Sequence, residues 1–243
     1  NITLPDGVTV LSTDVFSNCV SLKELILPES IETIESSAIW GCDNIKSISV
    51  PAKTTFIDKN AFINKCLESV IVDEENKYYK SVDGVLFDKD MTKLIVYPVS
   101  KKAEEYTVPD SVKTICNLEN KYMKTLVLPE GVEVIGYGAL DSSPNLRELN
   151  IPASVIDIGN VCGNYFEKIE VSPDNKYYAS VEGVLFNKEK TILISYPSLK
   201  KDTHYIIPDG VQKVNSGAFD PSEYSKKNQY LKQRCLIIKH YYL

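Results

Sequence analysis

Residues 25–34 read Leu-Ile-Leu-Pro-Glu-Ser-Ile-Glu-Thr-Ile, and this stretch decides the fold because it recurs along the chain at a fixed interval. Its proline, Pro28, lies 23 residues from both Pro5 and Pro51, and Pro129 and Pro152 are separated by the same interval. Each of these prolines closes an apolar stretch. A period of about 20–30 residues with leucine-like anchors is typical of a solenoid, in which successive coils stack. We therefore predict one elongated solenoid.

The apolar positions of each coil recur in register with its anchor. The residue six positions after the anchor is aliphatic in seven coils: Leu11, Ile34, Ile57, Ile115, Ile135, Ile158 and Val214. One coil cannot bury such a stripe, but stacked coils bury it as continuous columns. The alternating Leu-x-Leu segment before the proline predicts a short parallel strand, and the segment after it predicts a second short strand or extended turn. The Ala-Phe segment that follows predicts a short helical or 3₁₀ turn.

Two coils lack the proline and carry a longer element. Asp73 and Ser172 take its place, and 36 residues separate each of them from the next anchor, Pro109 or Pro208. Both elements contain Asn-Lys-Tyr-Tyr, Gly-Val-Leu-Phe and Tyr-Pro, and arms at 85–87 and 94–97 predict a β-hairpin. The predicted solenoid spans residues 1–220, with hairpin elements at about 73–108 and 172–207. Residues 221–243 leave the repeat, and either a capping strand or an irregular end that packs in an oligomer fits them.

Composition and charge exclude several classes of protein. The chain of 243 residues is 43% hydrophobic and 25% charged, which argues against wholesale disorder. Its net charge of −6 argues against nucleic acid as the main partner. No apolar run approaches the roughly 20 residues of a membrane span, so none is predicted. Because the sequence begins inside a repeat, at Ile2-Thr-Leu-Pro5, we expect a piece of a longer protein.

Patterns for catalysis and metal binding are weak. Cys19, Cys42 and Cys66 fall in one column of the repeat, where parallel Cβ directions favour buried free thiols over disulfides. The sequence has no Cys-x-x-Cys pair for zinc and no glycine-rich phosphate loop. Acidic clusters such as residues 73–75 are interpreted as solvated turns rather than calcium loops. We therefore predict no cofactor, no metal site and no catalytic residue.

One exposed column is the first candidate for ligand binding. The residue between the last two apolar anchors of each Leu-x-Leu segment points away from the core. This column contains Ile26, Ser49, Ile71, Val127 and Asn150, and the cations Lys23, Lys46 and Arg147 occupy a neighbouring column. An aliphatic stripe beside cations suits a protein or an acidic glycan. The alternative is that β-branched residues simply suit strands.

The tyrosines of the hairpin elements are the second candidate. Eight of the fifteen tyrosines lie there, and Tyr79 and Tyr178 occupy equivalent positions. Tyrosine is enriched at contact surfaces because it brings a large area at low entropic cost. The alternative is that these rings pack the hairpins onto the flank of the solenoid, since both copies keep the same spacing to leucine and proline.

Over about residues 1–219 the sequence resembles the BspA-type leucine-rich repeats of bacterial surface antigens, which share the pattern Leu-x-Leu-Pro-x-Ser-Val-x-x-Ile-x-x-x-Ala-Phe-x-x-Cys. Residues 25–34, followed by Ala38 and Cys42, match it closely. The resemblance implies a right-handed leucine-rich-repeat solenoid and a secreted or cell-surface bacterial protein. It also implies a non-enzymatic role in adhesion or in binding a protein or glycan. The sequence departs from the pattern in a 20-residue coil around Cys116 and after Asp220.

Two other functions remain open. The chain could be a structural spacer in a larger surface protein, with no ligand of its own. More remotely, it could be a glycan-acting enzyme, which would need two carboxylates about 5–10 Å apart in one cleft.

Overall fold

The computed structural model describes residues 1–161, 165–202 and 204–219, which form a solenoid of short strands joined by turns. The predicted tail at 221–243 lies outside the described residues. In chain order the strands are β1 (Ile2–Thr3), β2 (Val10–Leu11), β3 (Leu25–Ile26), β4 (Thr33–Ile34), β5 (Ser47–Val50), β6 (Phe56–Ile57), β7 (Ser69–Val72), β8 (Tyr79–Val82), β9 (Val85–Asp88), β10 (Lys93–Val96), β11 (Glu105–Thr107), β12 (Thr114–Ile115), β13 (Thr125–Val127), β14 (Val134–Ile135), β15 (Glu148–Ile151), β16 (Asp157–Ile158), β17 (Lys168–Val171), β18 (Tyr178–Val181), β19 (Val184–Asn187), β20 (Ile192–Ser195) and β21 (Lys213–Val214).

Each coil contributes one strand to each of two stacks. The Leu-x-Leu stack pairs β1 with β3, β5 with β7, β11 with β13 and β15 with β17, always in parallel. The post-proline stack joins β2, β4 and β6, and then β10, β12, β14 and β16, also in parallel. Both strands predicted from the repeat are therefore present, and the predicted solenoid fold is confirmed.

Most positions of the columns predicted from the repeat form the core, but Val214 is 43% exposed and Ile158 is half-buried. In the post-proline stack Leu11, Ile34 and Ile57 are direct partners in the ladder, and at most 6% of each is exposed. Thr54 lies three positions after Pro51, in a column that is otherwise aliphatic. Its hydroxyl donates to the carbonyl of Ile31 at 3.0 Å. This bond satisfies the buried hydroxyl, so the threonine does not leave an unpaired polar group in the core.

The predicted helical or 3₁₀ turn is wrong, since none of the described residues is helical. The Ala-Phe segments form successive turns instead. Some of their N–H groups bond to the neighbouring coil: that of Phe16 donates to Ala38 at 3.0 Å, and that of Ser37 to Asn60 at 3.0 Å. Others close turns within the coil, such as that of Ser17, which donates to Asp14 at 2.9 Å. Positive φ angles at Asn18 (59°) and Ser37 (58°) also end any helical path. Backbone hydrogen bonds between coils therefore take the place of some of the bonds that a continuous helix would make.

Each hairpin element contains three strands, of which the sequence predicted two. The predicted arms are β9 and β10, which pair antiparallel. The missed strand, β8, pairs antiparallel with β9 across a turn at Asp83-Gly84, where φ is positive at both residues (50° and 75°). An Asp-Gly pair between apolar segments is a strong hairpin signal, so the sequence contained this information. The second element repeats the arrangement with β18, β19 and β20.

Buried asparagines join successive coils, and they include Asn64, Asn76, Asn120 and Asn175. The amide of Asn76 donates to the carbonyls of Pro51 and Thr54 in the preceding coil, at 2.8 and 3.0 Å. Its oxygen accepts the N–H groups of Tyr78 and Tyr79, both at 2.8 Å. Asn175 and Asn120 make the same kind of contacts in their own coils. Each asparagine therefore satisfies buried backbone groups where a coil turns, which apolar packing cannot do.

We expect Ile34→Asp to unfold the stack, because it places an unpaired charge in a column shared by three coils. The free energy of unfolding should fall by more than about 4 kcal/mol. Thr33→Asp is the matched control on the same strand, because that residue is partly exposed, and it should cost less than about 1 kcal/mol. Chemical denaturation checks both. An Ile34→Asp protein as stable as the wild type would contradict the register of the stack.

Asn120→Leu should destabilise the protein by about 3 kcal/mol. The change leaves carbonyl and N–H groups of two coils buried without partners, and a leucine of similar size cannot replace them. Asn145→Ala is the control, because Asn145 is exposed and its amide donates a single hydrogen bond, to the carbonyl of Lys121. Its cost should stay below about 1 kcal/mol. Equal melting temperatures for the two variants would show that the buried asparagines do not join the coils.

Candidate binding surface

The predicted exposed column lies on the outer side of the Leu-x-Leu stack. Ile26, Ile71 and Val127 are 47%, 52% and 47% exposed, although the residues on either side of each point into the core or lie at its edge. Ser49 and Asn150 are exposed at the same position of their coils, and Ser49 is the direct ladder partner of Ile71. The alternation of the strands therefore places these five side chains on one face of the molecule.

An open groove crosses this face between β3 and β5, with a volume of about 690 Å³. Lys23, Ile26, Asn44, Lys46 and Ser49 are among the residues that line it. Within residues 1–161, all of which are described, β3 pairs only with β1 and β5 only with β7, so backbone pairing stops at the groove. The groove thus brings together four of the residues that the sequence selected.

Ion pairs border the groove and its surroundings. Lys46 pairs with Glu68 at 3.2 Å, and Arg147 lies 3.8 Å from Glu167 and donates to the carbonyls of Pro144 and Tyr165. Lys23 makes no ion pair with any described residue. Exposed pairs of this kind contribute little to stability, about 0–1 kcal/mol each, so a ligand can compete for the cations.

The first hairpin element divides the exposed column into two segments. The N–H of Val70 donates to the carbonyl of Gly84 at 2.9 Å, and that of Val72 donates to the hydroxyl of Ser81 at 3.0 Å. The hairpin turn therefore occupies the edge of β7 where the next Leu-x-Leu strand would pair. Ile26, Ser49 and Ile71 lie in the first segment, and Val127 and Asn150 lie in the second. The sequence-selected residues do not form one continuous stripe.

Tyr79 is buried against the solenoid, which corrects its selection as a ligand contact, and Tyr178 is half-buried in the equivalent place. Tyr79 is 9% exposed; its hydroxyl accepts the N–H of Ile57 at 3.0 Å and donates to the carbonyl of Thr55 at 3.2 Å. The hydroxyl of Tyr178 accepts the N–H of Ile158 at 3.1 Å. Burial raises the pKa of both hydroxyls. Each ring fastens a hairpin element to the last strand of the post-proline stack before it.

Sequence reasoning missed the exposed neighbours of these two rings. Tyr78 and Tyr177 are 53% and 52% exposed and occupy equivalent positions in the two hairpin elements. The signal was the alternation itself, because adjacent residues of an extended segment point to opposite sides. Because the hydroxyls of Tyr79 and Tyr178 point to the solenoid, the rings beside them face solvent.

A second pair of tyrosines packs inside each element. The rings of Tyr97 and Tyr106 lie 4.6 Å apart, and those of Tyr196 and Tyr205 lie 4.9 Å apart. Burial, with a smaller contribution from Asp83, raises the pKa of Tyr97 to about 12, and burial also raises the pKa of Tyr205 to about 12. No described residue provides a hydrogen-bond partner for the hydroxyls of Tyr97 and Tyr205. These rings serve the core of the hairpin elements.

Other chemistry that the sequence raised is modest in the described residues. Cys19, Cys42 and Cys66 are free thiols; that of Cys42 is buried, which raises its pKa, and it donates to the carbonyl of Phe16 at 2.9 Å. The described ranges contain no group of three or more His, Cys, Asp or Glu side chains that could hold a metal ion. In the same part of the chain, no helix is long and apolar enough to cross a membrane.

Tyr79→Phe and Tyr97→Phe remove the same atom from two buried rings and should differ in effect. Tyr79→Phe leaves the N–H of Ile57 without its acceptor and should cost about 1–3 kcal/mol of unfolding free energy. Tyr97→Phe removes a hydroxyl to which no described residue bonds, and should change stability by less than about 1 kcal/mol at neutral pH. Denaturant titration of both variants measures the difference. Equal costs would contradict the fastening role of Tyr79.

Stability should also fall at high pH. The raised pKa of Tyr97 means that the folded state favours its neutral phenol. The stability that this preference contributes is fully present below the unfolded pKa of about 10 and is lost as the pH rises toward 12. Tyr97→Phe should therefore flatten the decline in melting temperature between pH 10 and 12. An unchanged decline would show that Tyr97 ionises freely in the folded protein.

Comparison with known proteins agrees with this architecture. Six copies of the BspA type leucine rich repeat region match residues 1–88 and 97–225. A comparison with curated protein sequences finds no significant match.

Solved structures of bacterial proteins are also similar. The pneumococcal vaccine antigen PcpA is 26% identical with a TM-score of 0.66, over 96% of this chain and 64% of that one. A leucine rich cell surface protein of Faecalibacterium prausnitzii is 26% identical with a TM-score of 0.55, over 89% and 50%. A leucine-rich repeat protein of Eubacterium ventriosum, 20% identical with a TM-score of 0.54 over 90% and 82%, shares the fold. The chain thus spans under two thirds of the first two proteins, and by its repeats it belongs to the BspA-type leucine-rich repeat family.

Proposed function

We propose that this chain is a non-catalytic binding module of a bacterial surface or secreted protein, and that it recognises a protein or glycan through the Leu-x-Leu stack. The observation that supports this most directly is the groove between β3 and β5, which a half-exposed isoleucine and two lysines line together. Exposed aliphatic side chains edged by charge are a common feature of binding surfaces.

The groove combines the two components that recognition needs. Ile26 offers apolar area that can be buried, while Lys23, Lys46 and Ser49 offer hydrogen-bond donors around it. The strands below are held by core residues such as Leu25 (6% exposed) and Ile48 (1%), so the surface is preorganised. A rigid surface loses little entropy when it binds, which favours affinity.

The relatives support the proposed location. PcpA is described as a pneumococcal vaccine antigen, and the F. prausnitzii protein as a cell surface protein. An antigen and a surface protein are both exposed to the outside of a bacterium, and we propose the same location for this chain. Because the chain spans only part of each relative, adhesion by the complete protein is part of the proposal.

A structural spacer is the second candidate, and the ion pairs favour it. The cations of the Leu-x-Leu stack already have acidic neighbours, as in Lys124–Glu104 at 2.8 Å and Lys46–Glu68 at 3.2 Å. A surface that neutralises its own charges needs no ligand. The two candidates differ in one observable property, which is saturable binding.

Ile26→Asp should weaken binding without unfolding the protein. The purified chain would be screened against arrays of glycans and of extracellular host proteins, and the partner with the highest affinity titrated by calorimetry. We expect Ile26→Asp to weaken that binding at least 10-fold, because it removes apolar contact and buries a charge at the interface. Phe56→Asp is the matched control, since Phe56 is 50% exposed on the post-proline stack, and it should bind like the wild type.

Two results would contradict the proposal. Binding that survives Ile26→Asp but is lost in Phe56→Asp would move the site to the other stack. A complete absence of saturable binding across both arrays would favour the spacer.

A further inference from the structure

The interruption of the Leu-x-Leu stack occurs twice. β13 pairs only with β11, and β15 only with β17, within residues 105–161 and 165–171 that the structure describes there. Backbone pairing therefore stops between β13 and β15 just as it stops between β3 and β5. The two places are equivalent in the sequence, since Pro129 follows Pro28 by 101 residues and Pro152 follows Pro51 by the same distance.

The residues at the two interruptions have matching chemistry at this same offset. Lys124 corresponds to Lys23, and Arg147 corresponds to Lys46. The aliphatic position is also repeated, with Ile26 at the first interruption and Val127 at the second, each 47% exposed.

An exposed asparagine makes an equivalent bond between coils at each interruption. The amide of Asn44 donates to the carbonyl of Val20 at 2.5 Å, and that of Asn145 donates to the carbonyl of Lys121 at 2.6 Å. Both bonds tie the coil that carries the second cation to the coil before it. The two cations, the aliphatic residue and the asparagine bond are thus repeated at both interruptions.

Each interruption places two cations on adjacent coils. On the side away from the interruption, three of these four cations pair with acids: Lys46 with Glu68, Lys124 with Glu104, and Arg147 with Glu167. Like charges on neighbouring strands are unfavourable. The acids that pair with these cations therefore lie outside each cation pair, and an anionic group above the pair would relieve the repulsion between its members.

The lining of the first groove selects among anionic partners. Its side chains include the apolar Leu25, Ile26 and Leu27 but no aromatic ring. Sugar rings commonly stack on aromatic side chains, whereas an aliphatic side chain of a peptide packs well against isoleucine or valine. Glu24 is the only carboxylate in the lining and accepts a hydrogen bond from Asn1 at 2.8 Å. This composition fits a peptide with carboxylates beside an aliphatic residue.

We infer that the two interruptions are a pair of equivalent sites that bind one extended acidic segment of a partner protein. Each site takes one cluster of an aliphatic residue flanked by aspartate or glutamate. If the hairpin turn counts as one layer of the stack, the centres of the two sites are five strand spacings apart, or roughly 24 Å. An extended chain covers this distance in about seven residues. The inference rests on the proposed function and specifies its ligand.

A library of random 16-residue peptides displayed on phage tests the inference. Selection on the wild-type chain should enrich peptides with two acidic–aliphatic clusters about seven residues apart. A synthetic peptide of the enriched sequence would then be titrated by fluorescence anisotropy. Lys46→Glu and Arg147→Glu should each weaken its binding at least 10-fold, because each change removes one of two linked contacts. Lys77→Glu, a charge reversal in a hairpin element away from both sites, should leave the affinity unchanged, and it should melt like the wild type, as should Lys46→Glu. Arg147→Glu should melt somewhat lower, because Arg147 also bonds two backbone carbonyls.

The outcomes separate this inference from the proposed function. Enriched peptides that lack carboxylates, or whose binding is lost in Ile26→Asp but not in Lys46→Glu, would overturn the inference and leave a binding module. Enrichment of no peptide, together with heparin hexasaccharide binding that requires Lys46 and Arg147, would overturn it in favour of a glycan. If neither probe binds and the protein and glycan arrays are also negative, the proposed function fails as well.

Discussion

Each coil of this chain can bury its apolar side only against the next coil, and the rest of the structure depends on this constraint. Leu11, Ile34 and Ile57 are buried because they stack on one another, not because any one coil encloses them. The buried asparagines satisfy the polar backbone at the same boundaries. The side chains on the outer side of the strands therefore do not form the core, and we propose that a ligand binds there.

The two hairpin elements follow from the same constraint. Each replaces a proline-anchored coil, yet its last strand, β10 or β20, continues the post-proline stack in parallel register. At the other edge of each element the strand ladder is interrupted. There the hydroxyl groups of Tyr79 and Tyr178 accept backbone hydrogen bonds from the stack before the element. The first element also divides the Leu-x-Leu stack, which is why the exposed surface consists of two segments rather than one long stripe.

The repeat made the core predictable, because period and residue type together determine which side chains face inward. Ile26 and Val127 could be placed outside for the same reason. The turns could not be predicted, since positive φ at Asn18 or Ser37 depends on contacts with the next coil. The selection of Tyr79 rather than Tyr78 failed because composition does not reveal which of two adjacent rings a hairpin buries. The groove could not be predicted from the sequence either, because no residue type indicates where the pairing of a strand ladder stops.

The most direct test of the central claim is hydrogen–deuterium exchange of the chain, free and bound to the partner found on the arrays. The account predicts slower exchange on binding at residues 23–27 and 44–49 and at the equivalent residues 124–128 and 145–150. Protection confined to the post-proline strands, or to the hairpin turns at 83–84 and 182–183, would contradict it.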